Sequence, residues 1–395
     1  MDLISFLYEN FTHITWQMPV MWAIGGILIF LAIKKDMEPT LLLPMGFGAI
    51  MVNLPFSGAV TQYRNAAGEI ISKAQYDSLI EQGLEAEIEE GMLSVLFNAG
   101  IANELFPLIL FIGIGAMIDF GPILTNPKLM IFGAAAQFGI FFTLCMASMF
   151  FDINDAASIG IIGAADGPTS IVVANKLGSN YLPAIMVAAY SYMALVPIIQ
   201  PPVIKLLTTK KERMIRMPYE QKSVSKLTRI LFPIIITAVA GLVAPSSVSL
   251  VGCLMFGNLI RECGVLNQLS ETAQKVLANL ITIFLGITIA SQMQGEQFLD
   301  INTLLILGLG LVAFIFDTAF GVVFAKFLNL FLKKKINPMI GAAGISAFPM
   351  SGRIVHKMGL AEDNQNFLLM HSIGVNVSGQ IASVIAGGLI LNFFM

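Results

Sequence analysis

Hydrophobic residues in this chain come in long unbroken runs separated by short polar breaks. Runs over 18–33, 41–56, 105–122, 128–151, 181–207, 228–244, 247–262, 278–293, 303–331 and 365–392 approach the roughly 20 apolar residues that a helix needs to cross a bilayer. They lack the short alternating pattern of membrane β-barrel strands. The pattern predicts an all-α polytopic membrane protein of about ten spans. Two further apolar stretches, Ile159 to Leu177 and Pro338 to Met358, are interrupted by Gly and Pro. Each is expected to be a broken or re-entrant helix that enters and leaves on one side.

Charge orients the spans. Lys and Arg gather at Lys34-Lys35, in eight positions from Lys205 to Arg229, and from Lys326 to Lys335. The positive-inside rule places all three groups in the cytoplasm and both termini outside. Between Glu69 and Glu90 lie seven acids and one base, Lys73, which reads as a solvated extracytoplasmic insert near 62–92. The first run ends in Lys34-Lys35, and the residues before it carry Asp2 and Glu9 but no basic leader. It is expected to be a retained span and not a cleaved signal.

The two interrupted stretches resemble each other. Ile162-Gly163-Ala164-Ala165-Asp166 matches Ile340-Gly341-Ala342-Ala343-Gly344, with Leu177-Gly178 and Met358-Gly359 following. Upstream, Phe111-Ile112-Gly113-Ile114 answers Phe284-Leu285-Gly286-Ile287, and downstream the polar helix around Tyr192 answers the one around Asn376. The order span, span, broken segment, span occurs twice, which sets expected boundaries. Spans 1–104 carry the insert, 105–207 forms one repeat, 208–277 a basic loop with linking helices, and 278–395 a second repeat of opposite orientation. Inverted repeats with broken helices are the pattern of ion-coupled transporters, which bind near the midplane where the breaks meet.

Composition agrees. Of 395 residues, 56% are hydrophobic and only 12% charged, about half the charged share of a soluble domain. A soluble globule is excluded, and a net charge of −3 argues against nucleic acid as a partner. Cys145, Cys253 and Cys263 form no CxxC pair, so they read as inert thiols and not as a zinc or disulfide frame. There is no Walker loop, GxGxxG, GxSxG or HExxH. A self-contained ATP-driven pump is thereby excluded.

Chemistry concentrates at the breaks. Asp166 sits in an apolar stretch and is followed by Gly167-Pro168, which frees backbone carbonyls beside a carboxylate; both suit an alkali cation. The same Asp is also placed to cap the half-helix that follows. Asn337-Pro338 opens the second stretch, with Gly341, Ser346 and Arg353 beyond it. Asn337 reads as an oxygen ligand or an N-cap, and Ser346 as a ligand or a hydroxyl bonded back to its helix. Arg353 either snorkels to the interface or holds an anionic group in a bidentate pair. Asn376 and Tyr192 occupy matching places in the repeats, and Asn376 reads as an ion ligand or as interhelical glue. Asp317 is expected to be structurally paired, and His371 to be a packing residue.

Gly163-Ala-Ala-Asp166-Gly-Pro-Thr-Ser170, Asn337-Pro-Met-Ile-Gly341-Ala-Ala-Gly-Ile-Ser346-Ala-Phe-Pro-Met-Ser-Gly-Arg353 and Val-Asn376-Val-Ser-Gly379 together resemble the membrane β subunit of the biotin-dependent, sodium-pumping decarboxylases. That family acts on oxaloacetate, methylmalonyl-CoA, glutaconyl-CoA or malonate. The resemblance spans nearly the whole chain except the acidic insert. It implies a carboxybiotin decarboxylase that exports Na+ across the bacterial cytoplasmic membrane and consumes a proton. Asp166, Asn337 and Asn376 would bind Na+ with help from Tyr192 and Ser346, Gly341 would allow close backbone approach, and Arg353 would meet carboxybiotin. The biotin would be carried on a partner subunit. Implied partners are a carboxyltransferase, a biotin carrier and a small membrane-anchored accessory subunit, and a homo-oligomer is expected. Residue chemistry alone serves a secondary Na+-coupled carboxylate transporter equally well.

Overall fold

The computed structural model describes residues 11–71, 73–218 and 223–395; Asp2 and Glu9 lie outside them. The chain folds into two compact units, one holding the residues up to Phe106 with Thr282–Ile301, the other Pro107–Ile281 with Asn302–Met395.

In the first unit, α1 (Gln17–Lys35) and α2 (Pro39–Val52) form a helical pair. They cross at Gly25 and Gly46, where a methyl on either would lie 2.6 or 2.7 Å from the other's carbonyl oxygen. Small residues give helices in lipid this close approach. The acidic insert departs from the all-α expectation. It forms a three-stranded antiparallel sheet of β1 (Gln62–Asn65), β2 (Ile70–Ile71) and β3 (Ala86–Glu89) in the order β2-β1-β3, with α3 (Lys73–Glu81) between β2 and β3. Gly68, at φ +79°, turns the β1–β2 hairpin, and Arg64 pairs with Glu89 across the sheet at 3.0 Å. Helix α4 (Met92–Phe97) follows, and α5 (Leu105–Met117) begins the second unit at Pro107.

The second unit carries the breaks. The helical span Pro127–Ala147 consists of a short 3-10 turn, α6 (Met130–Ala136) and α7 (Phe138–Ala147). The first broken segment is α8 (Ile153–Gly160), a 3-10 turn over Ile161–Ala164 and α9 (Gly167–Lys176). Ala165 reverses the chain there in the left-handed region, φ 52° and ψ 43°. Pro168 falls in the first turn of α9, where its missing N–H costs nothing. The long α10 (Leu182–Leu207) comes next, then α11 (Lys210–Arg213), α12 (Lys226–Val243), α13 (Val248–Glu262), α14 (Ala278–Ala290), which belongs to the first unit from Thr282 on, and α15 (Ile301–Leu328). The second broken segment is a 3-10 turn over Pro338–Gly344, an extended link and α16 (Met350–Glu362), before α17 (Leu369–Phe394).

Among the described residues, seven helices are long and apolar enough to cross a membrane, or up to eight if Met92–Ala102 and Leu105–Met117 count as one bent span. The difference from ten arises at the runs 41–56 and 247–262. Their helices, α2 and α13, have 14 and 15 residues, about 22 Å of helix against a hydrocarbon thickness of about 30 Å. In both halves the order is span, span, broken segment, 26-residue helix, the last being α10 and α17. Leu177-Gly178 and Met358-Gly359 are not equivalent, however. Gly178 ends α9 at φ +63°, whereas Gly359 lies inside α16 against Leu368.

Each broken segment is closed at its base. Asp155, near the start of the first, accepts bonds from Ser179 Oγ at 2.7 Å and Asn180 N at 3.1 Å, just past its end. At the second, Asn337 Nδ2 before the break and Asn366 Nδ2 after it both donate to the Arg213 carbonyl at 2.8 Å. Entry and exit therefore lie together, and both segments are hairpins. Residues 209–217 clip the second one further, through Arg213–Glu362 and Arg216–Asp363 pairs at 2.6 Å.

Two outcomes follow. A methyl at Gly379 would sit 2.0 Å from the Gly344 carbonyl, so Gly379→Ala is expected to lower the thermal midpoint of solubilised protein by an amount worth about 1–3 kcal/mol. Gly26→Ala, with nothing within 4 Å of the added methyl, is not expected to lower it. Secondly, the hydrogen bond from Arg216 holds the Asp363 carboxyl below its usual 3.8. A carboxylate with a depressed value contributes stability above its unfolded value and loses it as pH falls through the folded one. Amide exchange of residues 209–217, corrected for the intrinsic rate, is expected to accelerate as pH drops below 3.8. High salt should do the same at neutral pH, because the Arg216 side chain is exposed and the pair is screened.

Candidate functional site

The two hairpins meet at their tips. Ser346 N, in the second break, donates to the Ala164 carbonyl of the first at 3.0 Å. The freed carbonyl of one broken helix thus satisfies the freed amide of the other. Immediately beyond Ala164 and the left-handed Ala165, Asp166 caps α9, its Oδ1 accepting from Thr169 N at 3.3 Å. Asp166 is only 3% exposed, and its other oxygen receives two donors from α17, Gln380 Nε2 at 3.1 Å and Ser383 Oγ at 2.6 Å. The Ser383 hydroxyl in turn accepts from Ser346 Oγ. Asn376, fully buried, donates from Nδ2 to the Ile345 carbonyl at 2.7 Å. Asp166, Ser346 and Asn376, chosen from separate stretches of sequence, form one buried polar cluster.

Three oxygens in the same neighbourhood are buried and have no hydrogen-bond partner: Asn376 Oδ1, Thr169 Oγ1 and the Tyr190 hydroxyl. Tyr190 belongs to the first break, since a methyl at Gly167 would lie 2.5 Å from its ring Cζ. Buried polar atoms normally find partners, and orphans beside a carboxylate are what an unsatisfied ligand field looks like. A carboxylate, an amide oxygen and hydroxyls are the hard neutral and anionic donors suited to an alkali cation.

The remaining predicted residues sit elsewhere. Asn337 Oδ1 caps the second break by accepting from Met339 N at 3.1 Å, and its Nδ2 holds the carbonyls of Arg213 and Ile215. Both ends of this amide are thus engaged at the hairpin base, and no hydrogen bond joins it to the Asp166 cluster. Tyr192 donates to the Leu307 carbonyl of α15. Two residues along a helix is about 200° of rotation, so Tyr190 and Tyr192 face different neighbours. Gly341 stands against α15, where a methyl on it would lie 2.0 Å from the Gly321 carbonyl. The Arg353 side chain is exposed in the first turn of α16, with no ion pair or hydrogen bond to its guanidinium among the described residues. Asp317 is buried and its carboxylate lies against Gly139, in the first turn of α7; no side chain among the described residues pairs with either oxygen, so the expected structural pairing with another residue is not formed. His371 is buried near the start of α17.

Gln380, Ser383, Thr169 and Tyr190 were not among the sequence candidates. The signal for the first two is a helical period. Asn376, Gln380, Ser383 and Gly387 fall at i, i+4, i+7 and i+11 of α17, one stripe of a single face, and Gly387 packs against Thr169.

Comparison with known proteins places the chain in a family. The family described as the Na+-transporting oxaloacetate decarboxylase beta subunit matches residues 17–394. A probable oxaloacetate decarboxylase beta chain of Vibrio cholerae is 45% identical, covering 97% of this chain and 96% of its own. The methylmalonyl-CoA decarboxylase subunit beta of Propionigenium modestum is 46% identical, covering 95% and 94%. The oxaloacetate decarboxylase beta chain of Klebsiella pneumoniae is 43% identical, covering 97% and 96%. With a family match over residues 17–394 and relatives 45% and 46% identical along nearly their whole length, the chain belongs to the family of membrane β subunits of Na+-transporting decarboxylases.

Proposed function

We propose that this subunit decarboxylates carboxybiotin presented by a partner carrier and couples the reaction to Na+ export across the bacterial cytoplasmic membrane. The observation that carries the reading is the tip-to-tip meeting of two base-closed hairpins at Asp166. Two inverted repeats approaching from opposite sides would give this arrangement, with the ion held where both can move against it. Na+ as cargo binds Asp166, the free oxygens of Asn376 and Thr169, and the Ser346 and Tyr190 hydroxyls. Asn337, Tyr192 and Gly341 hold the walls: the hairpin base, the α10–α15 contact and the α15 close approach.

Arg353 meets the carboxylate of the incoming carboxybiotin. Its free, exposed guanidinium fits a planar anion by a bidentate pair. In the reaction the N–C bond breaks, CO2 leaves and the biotin nitrogen takes a proton. Asp166 alternates between Na+ and H+, so release of the ion is matched by uptake of a proton at the same oxygens. Each exported charge costs about 2.3 kcal/mol per 100 mV, which limits one decarboxylation to one or two ions. Coupling requires that carboxybiotin and Na+ bias the same conformational equilibrium.

The relatives include oxaloacetate and methylmalonyl-CoA subunits at 45% and 46% identity. Near-equal likeness across two acyl substrates supports assigning substrate choice to a separate carboxyltransferase subunit. A biotin carrier, a small membrane-anchored accessory subunit and further copies of this chain complete the assembly. Family membership favours this reading over a free-standing Na+-coupled carboxylate transporter.

Asp166→Asn is expected to abolish Na+-stimulated CO2 release from carboxybiotin in reconstituted vesicles; full Na+-dependent activity would sink the ion-exchange role. Ser383→Ala removes one donor to Asp166 and one partner of Ser346, whose hydroxyl keeps the Gly379 carbonyl at 3.2 Å. It is expected to raise the Na+ concentration for half-maximal rate about tenfold, the equivalent of about 1.4 kcal/mol. Arg353→Ala should raise the KM for carboxybiotin more than the Na+ requirement, with Arg353→Lys intermediate. Equal effects on both would count against the substrate contact.

A further inference from the structure

A pocket of about 640 Å³ opens beside the base of the second hairpin, between the end of α10, the 209–217 clip and the last turns of α15. Its polar side carries Lys211, Lys326 and Lys335, and its other wall is Val323, Phe327 and Leu330. Glu212 also lines it, but its charge is offset by Lys326 Nζ at 3.1 Å, which additionally donates to the Leu207 carbonyl at 3.0 Å. Lys211 and Lys335 are exposed and have no ion pair or hydrogen bond among the described residues. The pocket therefore presents two free ammonium groups above a fixed Lys–Glu pair.

The apolar wall is as informative as the charge. Val323, Phe327 and Leu330 are 48%, 52% and 78% exposed, and Leu206 and Phe331 next to them are 86% and 73% exposed. They continue the outer surface of a helix that is apolar enough to span a membrane. An ammonium pair at the end of such a surface lies at headgroup depth, with room for acyl chains along the helix below. Basic pockets between helices at a membrane face bind anionic headgroups in this way.

We propose that this pocket takes the phosphate headgroup of an anionic phospholipid, with Lys211 and Lys335 as its cationic ligands and the Val323–Phe327–Leu330 wall against its acyl chains. Free inorganic phosphate would use the lysines but gain nothing from that wall. The occupied pocket bears on the second break. Lys211 and Ile215 flank Arg213, whose carbonyl holds Asn337 and Asn366. On the other wall, Asn329 exchanges two 2.8 Å bonds with Ile336, the residue before Asn337. A lipid bridging Lys211 and Lys335 would brace both strands of the hairpin base.

The test uses the purified full-length chain in neutral detergent and reads its thermal midpoint with added phosphatidylglycerol, phosphatidylcholine or inorganic phosphate. Phosphatidylglycerol should raise the midpoint by several degrees through ligand linkage, and the other two should not. Lys211→Gln with Lys335→Gln should remove that response while leaving the lipid-free midpoint near the parent's, and Lys211→Arg with Lys335→Arg should restore it. An equal shift with phosphatidylcholine or phosphate alone, or an unchanged response in the Gln variant, would overturn the proposal. So would a loss of carrier-borne carboxybiotin turnover in the Gln variant that is the same in vesicles with and without anionic lipid, since the pocket would then serve the carrier.

Discussion

A carboxylate buried among apolar helices has to be compensated, and the second unit is arranged around that requirement. Leaving an ionised Asp uncompensated in such surroundings costs several kcal/mol or more. Asp166 instead caps its own half-helix and takes donors from Gln380 and Ser383 of α17, more than 200 residues along the chain. Those donors exist only if α17 lies against the first break. Ser346 reaches the same network only if the second break lies there as well. One polar residue thereby dictates where three separate segments must meet.

The hairpin bases show the complementary demand. A helix broken inside a bilayer exposes backbone groups that water cannot satisfy, so the interruption must be short and its ends tied. Asp155 ties the first hairpin through Ser179 and Asn180, and the Arg213 carbonyl ties the second through Asn337 and Asn366. Firm bases with a small polar contact between the tips leave the tips as the more compliant part of each hairpin. The tips touch through one backbone bond, and Ser383 of α17 links the Ser346 hydroxyl to Asp166.

Close approach is bought with glycine in the same places. Gly341 against Gly321, and Gly379 against Gly344, let helices and breaks share backbone contacts that any side chain would prevent. Without a hydrophobic driving force between helices in lipid, such packing supplies much of the association. It also brings bare carbonyls next to the polar cluster.

How far the sequence alone carried can be judged residue by residue. Long apolar runs, Gly-Pro interruptions and the recurrence of Gly-Ala-Ala determined a helical membrane protein with two broken segments, because hydrocarbon tolerates few other backbones. They also singled out Asp166, Ser346 and Asn376. The small sheet in the acidic insert was not legible, since its strands are two to four residues long and leave no usable period. Nor was the difference between Tyr190 and Tyr192, or the placement of Asn337 at a hairpin base, because local pattern assigns a residue to a helix or a break but not the neighbour it faces. That choice belongs to the tertiary structure. Only when α17 and the two tips pack together does it become settled which oxygens surround Asp166 and which are spent holding the frame.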